Sequence, residues 1–193
     1  LLKWKPHNLL SQSEDFTTTW AISGTGTVTS NASIAPDNTT TADKMVAANG
    51  LTAYVQQDTT PSAPFTARFW VKAAGHDYVQ FLTAGAANNI CNFDLATGVV
   101  GTSTSGFTGS IEAAANGFYL CTVVADSSAA NMAKFRVGAV VSASSARAGF
   151  VTGDGTSGFY IWGAHCYESG LGGMVNNPAQ PAGFETYVPT TSA

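Results

Sequence analysis

The feature that most constrains this fold is a ladder of short β-branched and aromatic runs separated by turn clusters. The runs are "GTVTSN" (26–31), "KMVAA" (44–48), "AYVQQDT" (53–59), "FTARFWVKA" (65–73), "YVQFLTA" (78–84), "ICNFDLA" (90–96), "GSIEAA" (109–114), "FYLCTVVA" (118–125), "AKFRVGAVV" (133–141) and "GFYIWGAHCYE" (158–168). The clusters "PDNT", "AAGHD", "ATGVVG", "AANG" and "GDGTSG" mark turns between them. Helical periodicity is almost absent. The pattern predicts an all-β protein, a sandwich or barrel built of many short strands.

Two-residue alternation sorts each run into faces. In "ARFWVKA", Phe69 and Val71 oppose Arg68, Trp70 and Lys72; in "YVQFL", Val79 and Phe81 oppose Tyr78 and Gln80. If the "AAGHD" turn joins these two runs as neighbours, Trp70 and Tyr78 share a polar, partly exposed face. In "FYLCTVV" both faces are apolar, as expected of a strand covered on both sides. In "GFYIWGAHCYE", Phe159, Ile161, Gly163, His165 and Tyr167 fall on one face. Tyr160, Trp162, Ala164, Cys166 and Glu168 fall on the other.

Composition narrows the function. Charged residues make up only 10% of the 193 residues, so the surface relies on Thr, Ser, Asn and Gln, as in many extracellular and virion β-proteins. Eight basic residues against 12 acidic ones leave a net charge of −4, and Lys3 and Lys5 form a close basic pair. Neither nucleic acid nor an anionic membrane surface is an expected partner, because both demand a basic patch. No apolar run approaches a membrane span. Cys91, Cys121 and Cys166 are too widely spaced for a metal motif; they read as three small buried hydrophobes, or as one disulfide with a free thiol. The chain opens on Leu1 with no charged-then-apolar leader, so residues 1–7 read as a linker from something upstream and residues 8–193 as a single domain.

An ordered set of segments resembles a β-sandwich module of bacteriophage tail and other virion proteins. The set runs "NLLSQSEDF", "APDNTTTADKM", "PFTARFWVKAAG", "FDLATGVVG", "GFYLCTVVA", "GDGTSGFYIWGAHCYESG" and "ETYVPT", covering roughly residues 8 to 190. The resemblance implies a jelly roll of two antiparallel sheets, like concanavalin-like and carbohydrate-binding modules. It implies adhesion to host-surface glycan, or a structural virion role such as capsid decoration or tail assembly, with other virion subunits as partners and a homotrimer as one assembly. The departures are His165 where the module often has Gln, Cys166 where it has Leu, and Leu120 where it has Arg. The segment between Gly170 and Thr186 is also longer than the turn expected there.

No recognisable pair of acids stands as a glycosidase would need them. His7, His76 and His165 form no metal-spaced cluster, and no nucleophile elbow or phosphate loop is present. Catalysis is therefore not expected, and a polysaccharide-degrading domain ranks last. Sugars are held by aromatic faces with amide and guanidinium groups around them. Arg68, Trp70, Tyr78 and Gln80, with Tyr54 and Gln56 beside them, form the expected glycan platform. A structural calcium is the one expected cofactor, with Asp15, Asp37, Asp43, Glu168 and Glu14 as ligands. In the resemblance, Asp43 and Glu168 are the acids of the "ADK" step and of the last long strand, and one ion bridging them would tie the chain's ends together.

Overall fold

The computed structural model describes residues 7–84, 89–129, 131–169, 184 and 186–191. Among these described residues are twelve strands and one 3₁₀ turn, Ala115–Gly117. The strands are β1 (Ala21–Gly24), β2 (Gly26–Ser33), β3 (Ala42–Ala47), β4 (Ala53–Asp58), β5 (Phe65–Ala74), β6 (Tyr78–Ala84), β7 (Ile90–Asp94), β8 (Val99–Ser103), β9 (Phe107–Ala113), β10 (Tyr119–Ala125), β11 (Lys134–Ala139) and β12 (Gly158–Glu168). They form two six-stranded antiparallel sheets, ordered β1-β4-β11-β6-β7-β8 and β2-β3-β12-β5-β10-β9. The architecture is an all-β sandwich, as the ladder of runs predicts, and of the jelly-roll kind that the resemblance implies.

Alternating apolar positions fill the space between the sheets. Phe69 meets Phe81, Phe93 and Phe135 at ring-centroid distances of 6.0, 5.9 and 5.8 Å, and Phe81 meets Phe135 at 5.0 Å. All four rings are fully buried. Burying such a ring contributes about 1.5–3 kcal/mol, and edge-to-face contacts add to that. Cys91, Cys121 and Cys166 are buried free thiols within this core. Burial pushes the Cys91 thiol up to about 11, so it packs as a neutral small hydrophobe.

A second apolar cluster lies on the outer side of the β12-containing sheet and holds Ala35, Ala42, Trp70, Phe118, Leu120, Trp162 and Tyr187. Two segments from opposite ends of the chain meet at β12; the N-terminal one lies beside it, with Leu10 and Phe16 in the core between the sheets. Leu9 N–H donates to the Cys166 carbonyl (2.8 Å), Ala164 N–H to that of Ser13 (2.9 Å), and Ser13 N–H to that of Thr190 (3.1 Å). The Asn8 side chain donates to the carbonyls of Ala164 and Val188 and accepts from the N–H groups of Leu10 and Cys166. One amide thus joins both terminal segments to β12.

Three expectations are corrected, and the C-terminal segment is placed. The runs 65–73 and 78–84 are not neighbours: the turn between them crosses the sandwich, so β5 and β6 belong to opposite sheets. Two edge strands, β1 and β8, were not foreseen, and β8 begins within the "ATGVVG" read as a turn. Residues 186–191 form no strand; they lie along the sandwich and insert Tyr187 into the second cluster. The faces of β12 do not alternate throughout. Its register against β5 shifts between Trp162 and His165, where Gly163 adopts φ +65°. This β-bulge adds one residue and reverses the phase. Phe159 and Ile161 point inward before it, and Ala164 and Cys166 point inward after it.

Candidate functional site

The outer sides of the two sheets differ. The β12 side is closed by the C-terminal segment, whereas the β4–β11 side presents half-buried polar and aromatic groups. On β4 the core positions are Ala53 and Val55, so Tyr54, Gln56 and Asp58 face outward; on β11 Phe135 and Val137 are core, so Lys134 and Arg136 face outward. The register sets Arg136 opposite Gln56, Lys134 opposite Asp58 and Gly138 opposite Tyr54. Arg136 Nε donates to Gln56 Oε1 (2.9 Å), and its guanidinium lies 5.4 Å from the Tyr54 ring centroid. Lys134 and Asp58 form an ion pair.

Phe150 completes the surface. Its ring stacks on Tyr54 at 4.8 Å and 25°. Gly138 makes this possible, because a Cβ there would stand 2.5 Å from the Phe150 ring and 2.8 Å from Tyr54 Cβ. The loop carrying Phe150 is pinned from below by two buried amides. Gln80 donates to the Ala146 carbonyl (3.1 Å) and accepts from Ala148 N–H (2.8 Å). Asn92 donates to the carbonyls of Ala143 (3.2 Å) and Ser145 (2.8 Å), and Gln80 Nε2 donates to Asn92 Oδ1 (2.7 Å).

Beside this surface lies a cleft of about 570 Å³, within the usual range for small-ligand sites. Gln56, Asp58 and Lys134 form one wall; Asn8, Ser11 and Thr19 contribute to the other. Gln57 fixes the cleft floor by exchanging hydrogen bonds with the Ser11 backbone, at 2.7 and 2.9 Å. Aromatic faces, amides, hydroxyls and cations are the groups that hold a sugar's C–H faces and hydroxyls.

The expected platform is therefore divided. Tyr54 and Gln56 belong to this surface. Tyr78 lies two strands away in the same sheet, and Gln80 is fully buried beneath the loop. Arg68 and Trp70 lie on the other sheet. Trp70 is buried against Trp162, Phe184 and Tyr187 at 5.2, 5.6 and 5.3 Å, and Arg68 donates to Thr186 Oγ1. Arg136, Lys134 and Phe150 were missed. The sequence shows them only as outward positions of one run and an isolated aromatic after a Ser/Ala stretch; strand pairing joins them to Tyr54.

The acids expected to bind calcium are likewise divided. Both Asp43 oxygens accept backbone N–H groups, from Phe16 (2.8 Å) and Asn31 (2.9 Å). Asp15 holds Thr17 and Thr18, and Asp37 holds Thr39. Glu168 accepts from Ser62 N–H (2.8 Å). Asp43 pairs with Ile161, seven positions along β12 from Glu168, a separation of roughly 20 Å at strand rise. One ion cannot bridge them. Glu14, Asp15 and Asp43 do meet at a smaller cleft of about 290 Å³. Burial raises the carboxyls of Asp43 and Glu14, and the nearby charges of Asp15 and Asp37 respectively raise them further. Among the described residues no group of three or more His, Cys, Asp or Glu side chains is arranged to hold a metal ion.

His165 is fully buried behind the bulge. Its Nε2 lies 3.1 Å from the His7 carbonyl, its Nδ1 has no partner among the described residues, and its ring packs against Tyr187 at 5.9 Å. Desolvation, opposed by the His7 carbonyl and aided by Arg68, lowers its pKa to about 4.

No known family profile matches the chain, and no curated protein matches it. Solved structures that resemble it in fold include these two. One is the enzymatically active domain of tailspike protein 4 of bacteriophage CBA120: 16% identity, TM-score 0.45, 82% of this chain covered. This chain spans about a fifth of that protein's length (21%). The other is the carbohydrate-binding module TmCBM61, solved with β-1,4-galactotriose: 12% identity, TM-score 0.42, covering 84% of this chain and 99% of that one.

Proposed function

We propose that the chain is a non-catalytic glycan-binding module of a phage virion, serving adhesion to the host surface. Its binding site is the outer face of β4 and β11 with the adjoining cleft. The observation that carries this reading is the Tyr54–Phe150 stack flanked by Arg136 and Gln56, beside a cleft of about 570 Å³. The ordered motifs from "NLLSQSEDF" to "ETYVPT" support the virion setting. The test is binding of the purified chain to an array of bacterial surface polysaccharides. Tyr54→Ala is expected to weaken the bound glycan about tenfold, the scale of one lost stacking contact with its neighbouring hydrogen bond. Unchanged binding by Tyr54→Ala overturns this placement of the site.

A structural virion subunit is the second reading. Val141 and Val99, 65% and 55% exposed, support it. They stand at the same end of one sheet, because Val99 pairs with Asp94, Asp94 with Tyr78, and Val140 N–H donates to the Tyr78 carbonyl. Light scattering separates the two readings: a homotrimer hiding that end favours assembly, and a monomer favours a tethered binding module.

A further inference from the structure

We infer that the glycan taken by this face is acidic, a polysaccharide whose uronate-type carboxylates are received by Arg136. The inference rests on the glycan-binding reading above and specifies its ligand class.

The chain carries eight basic residues in a molecule of net charge −4. Three of them, Lys134, Arg136 and Arg147, gather on the β4–β11–β6 side. Arg147 Nη2 donates to the Thr83 carbonyl (3.1 Å). Thr83 pairs with Phe135, the residue preceding Arg136, so both guanidinium groups stand at the same level of the sheet. Asp58 is bonded to Lys134 and neutralises it. The two arginines remain as net positive charge on a face otherwise made of aromatic rings and amides.

The arginines are presented differently. Gln56 holds Arg136 through Nε, and the Tyr54 ring supports its plane, so the guanidinium is oriented before any ligand arrives. Among the described residues its two terminal nitrogens meet no acceptor. That leaves the forked edge that matches a carboxylate with two parallel hydrogen bonds. Around Thr83, two buried donors also lack an acceptor among the described residues: Arg147 Nε and Asn89 Nδ2, the latter on the residue whose carbonyl accepts from Thr83 N–H. The hydroxyls of a neutral sugar accept single hydrogen bonds from such donors but bring no charge to match the guanidinium groups. A chain of uronates supplies a carboxylate for the fork and a C–H face for the Tyr54 ring.

The experiment titrates the chain with oligogalacturonate, alginate and hyaluronan fragments, and with the same fragments after carboxyl reduction. At least one acidic fragment is expected to bind roughly tenfold or more tightly than its reduced form, the scale of a charge-assisted hydrogen bond. That preference is expected to shrink as salt rises from about 0.05 to about 0.5 M. Arg136→Gln abolishes the preference, Arg136→Lys restores it in part because the charge returns without the fork, and Lys44→Gln on the other sheet leaves it intact. Equal binding of acidic and reduced fragments overturns the inference and leaves the glycan-binding reading standing. Binding of neither form overturns both. Melting curves confirm that each variant is folded.

Discussion

Trp162 and His165 stand on the same side of β12, both against the ring of Tyr187, at 5.1 and 5.9 Å. Three residues apart on a regular strand, they would face opposite ways. The bulge at Gly163 brings them together, and with them the second cluster and the terminal segments. Gly163 has no room for a side chain: a Cβ would lie 2.6 Å from the Trp70 ring, at φ +65°. Gly163→Ala is expected to cost about 2–4 kcal/mol, combining backbone strain with overpacking. Thermal melting checks this; a variant as stable as the parent would show that the bulge tolerates a side chain.

The buried His165 predicts a pH dependence. Its folded pKa of about 4 lies below the ordinary 6.5. Between those values the unfolded chain binds a proton that the folded chain does not, so stability is full above pH 6.5 and is lost as pH falls towards 4. The loss is on the order of 3 kcal/mol. Glu14 and Asp43, both raised by burial, act with opposite sign and gain stability as pH falls. Comparing the parent with His165→Gln isolates the histidine. Denaturant titrations are expected to show the variant gaining on the parent as pH drops from 7 to 4.5; parallel curves would contradict this.

Trp70 and Tyr54 separate fold from binding. Trp70 is buried among Trp162, Phe184 and Tyr187, so Trp70→Ala is expected to cost about 3–5 kcal/mol. Tyr54 is half-buried on an open face, and Tyr54→Ala is expected to cost about 1 kcal/mol while abolishing most glycan affinity. Urea midpoints read the first effect and glycan titration the second. Reversed outcomes would exchange the roles of the two sheet faces.

Gln80 is expected to act as a positioning residue. Gln80→Ala removes three hydrogen bonds from beneath the loop that carries Phe150. A stability loss of about 1–3 kcal/mol is expected. So is weaker glycan binding, although Gln80 is shielded from any ligand. Gln80→Glu keeps the acceptor for Ala148 N–H but sets a buried carboxylate oxygen against Asn92 Oδ1 and the Ala146 carbonyl, so it is expected to restore no affinity. Affinity unaffected in Gln80→Ala would mean that Phe150 holds its place without the loop's amides.

Ten of the twelve strands were legible in the sequence because their inward positions are apolar at period two, as in β5 and β6. The strands β1 and β8 were not: "AISG" and "VVGTS" are four and five residues long and carry no alternation to read. The bulge escaped because one inserted residue reverses a strand's faces without changing its composition. The quoted motifs were legible as a set, and their residues prove to hold the fold together. Asn8 joins both terminal segments to β12, Asp43 caps the N–H groups of Phe16 and Asn31, and Trp162 Nε1 donates to Thr41. The candidate site was half legible. Tyr54 and Gln56 show in their run, but their partners Arg136 and Phe150 are 80 or more positions away. Only the β4–β11 register and the glycine at 138 bring those partners in.

The central claim is that the open β4–β11 face, and not the aromatic cluster around Trp70, receives glycan. Backbone and side-chain NMR shifts, followed while an acidic bacterial polysaccharide fragment is titrated into the chain, test it most directly. Shifts centred on Tyr54, Gln56, Arg136 and Phe150, with Trp70, Trp162 and Tyr187 unmoved, are the result predicted. Shifts centred on Trp70 and Trp162, with the β4–β11 face unmoved, would contradict it.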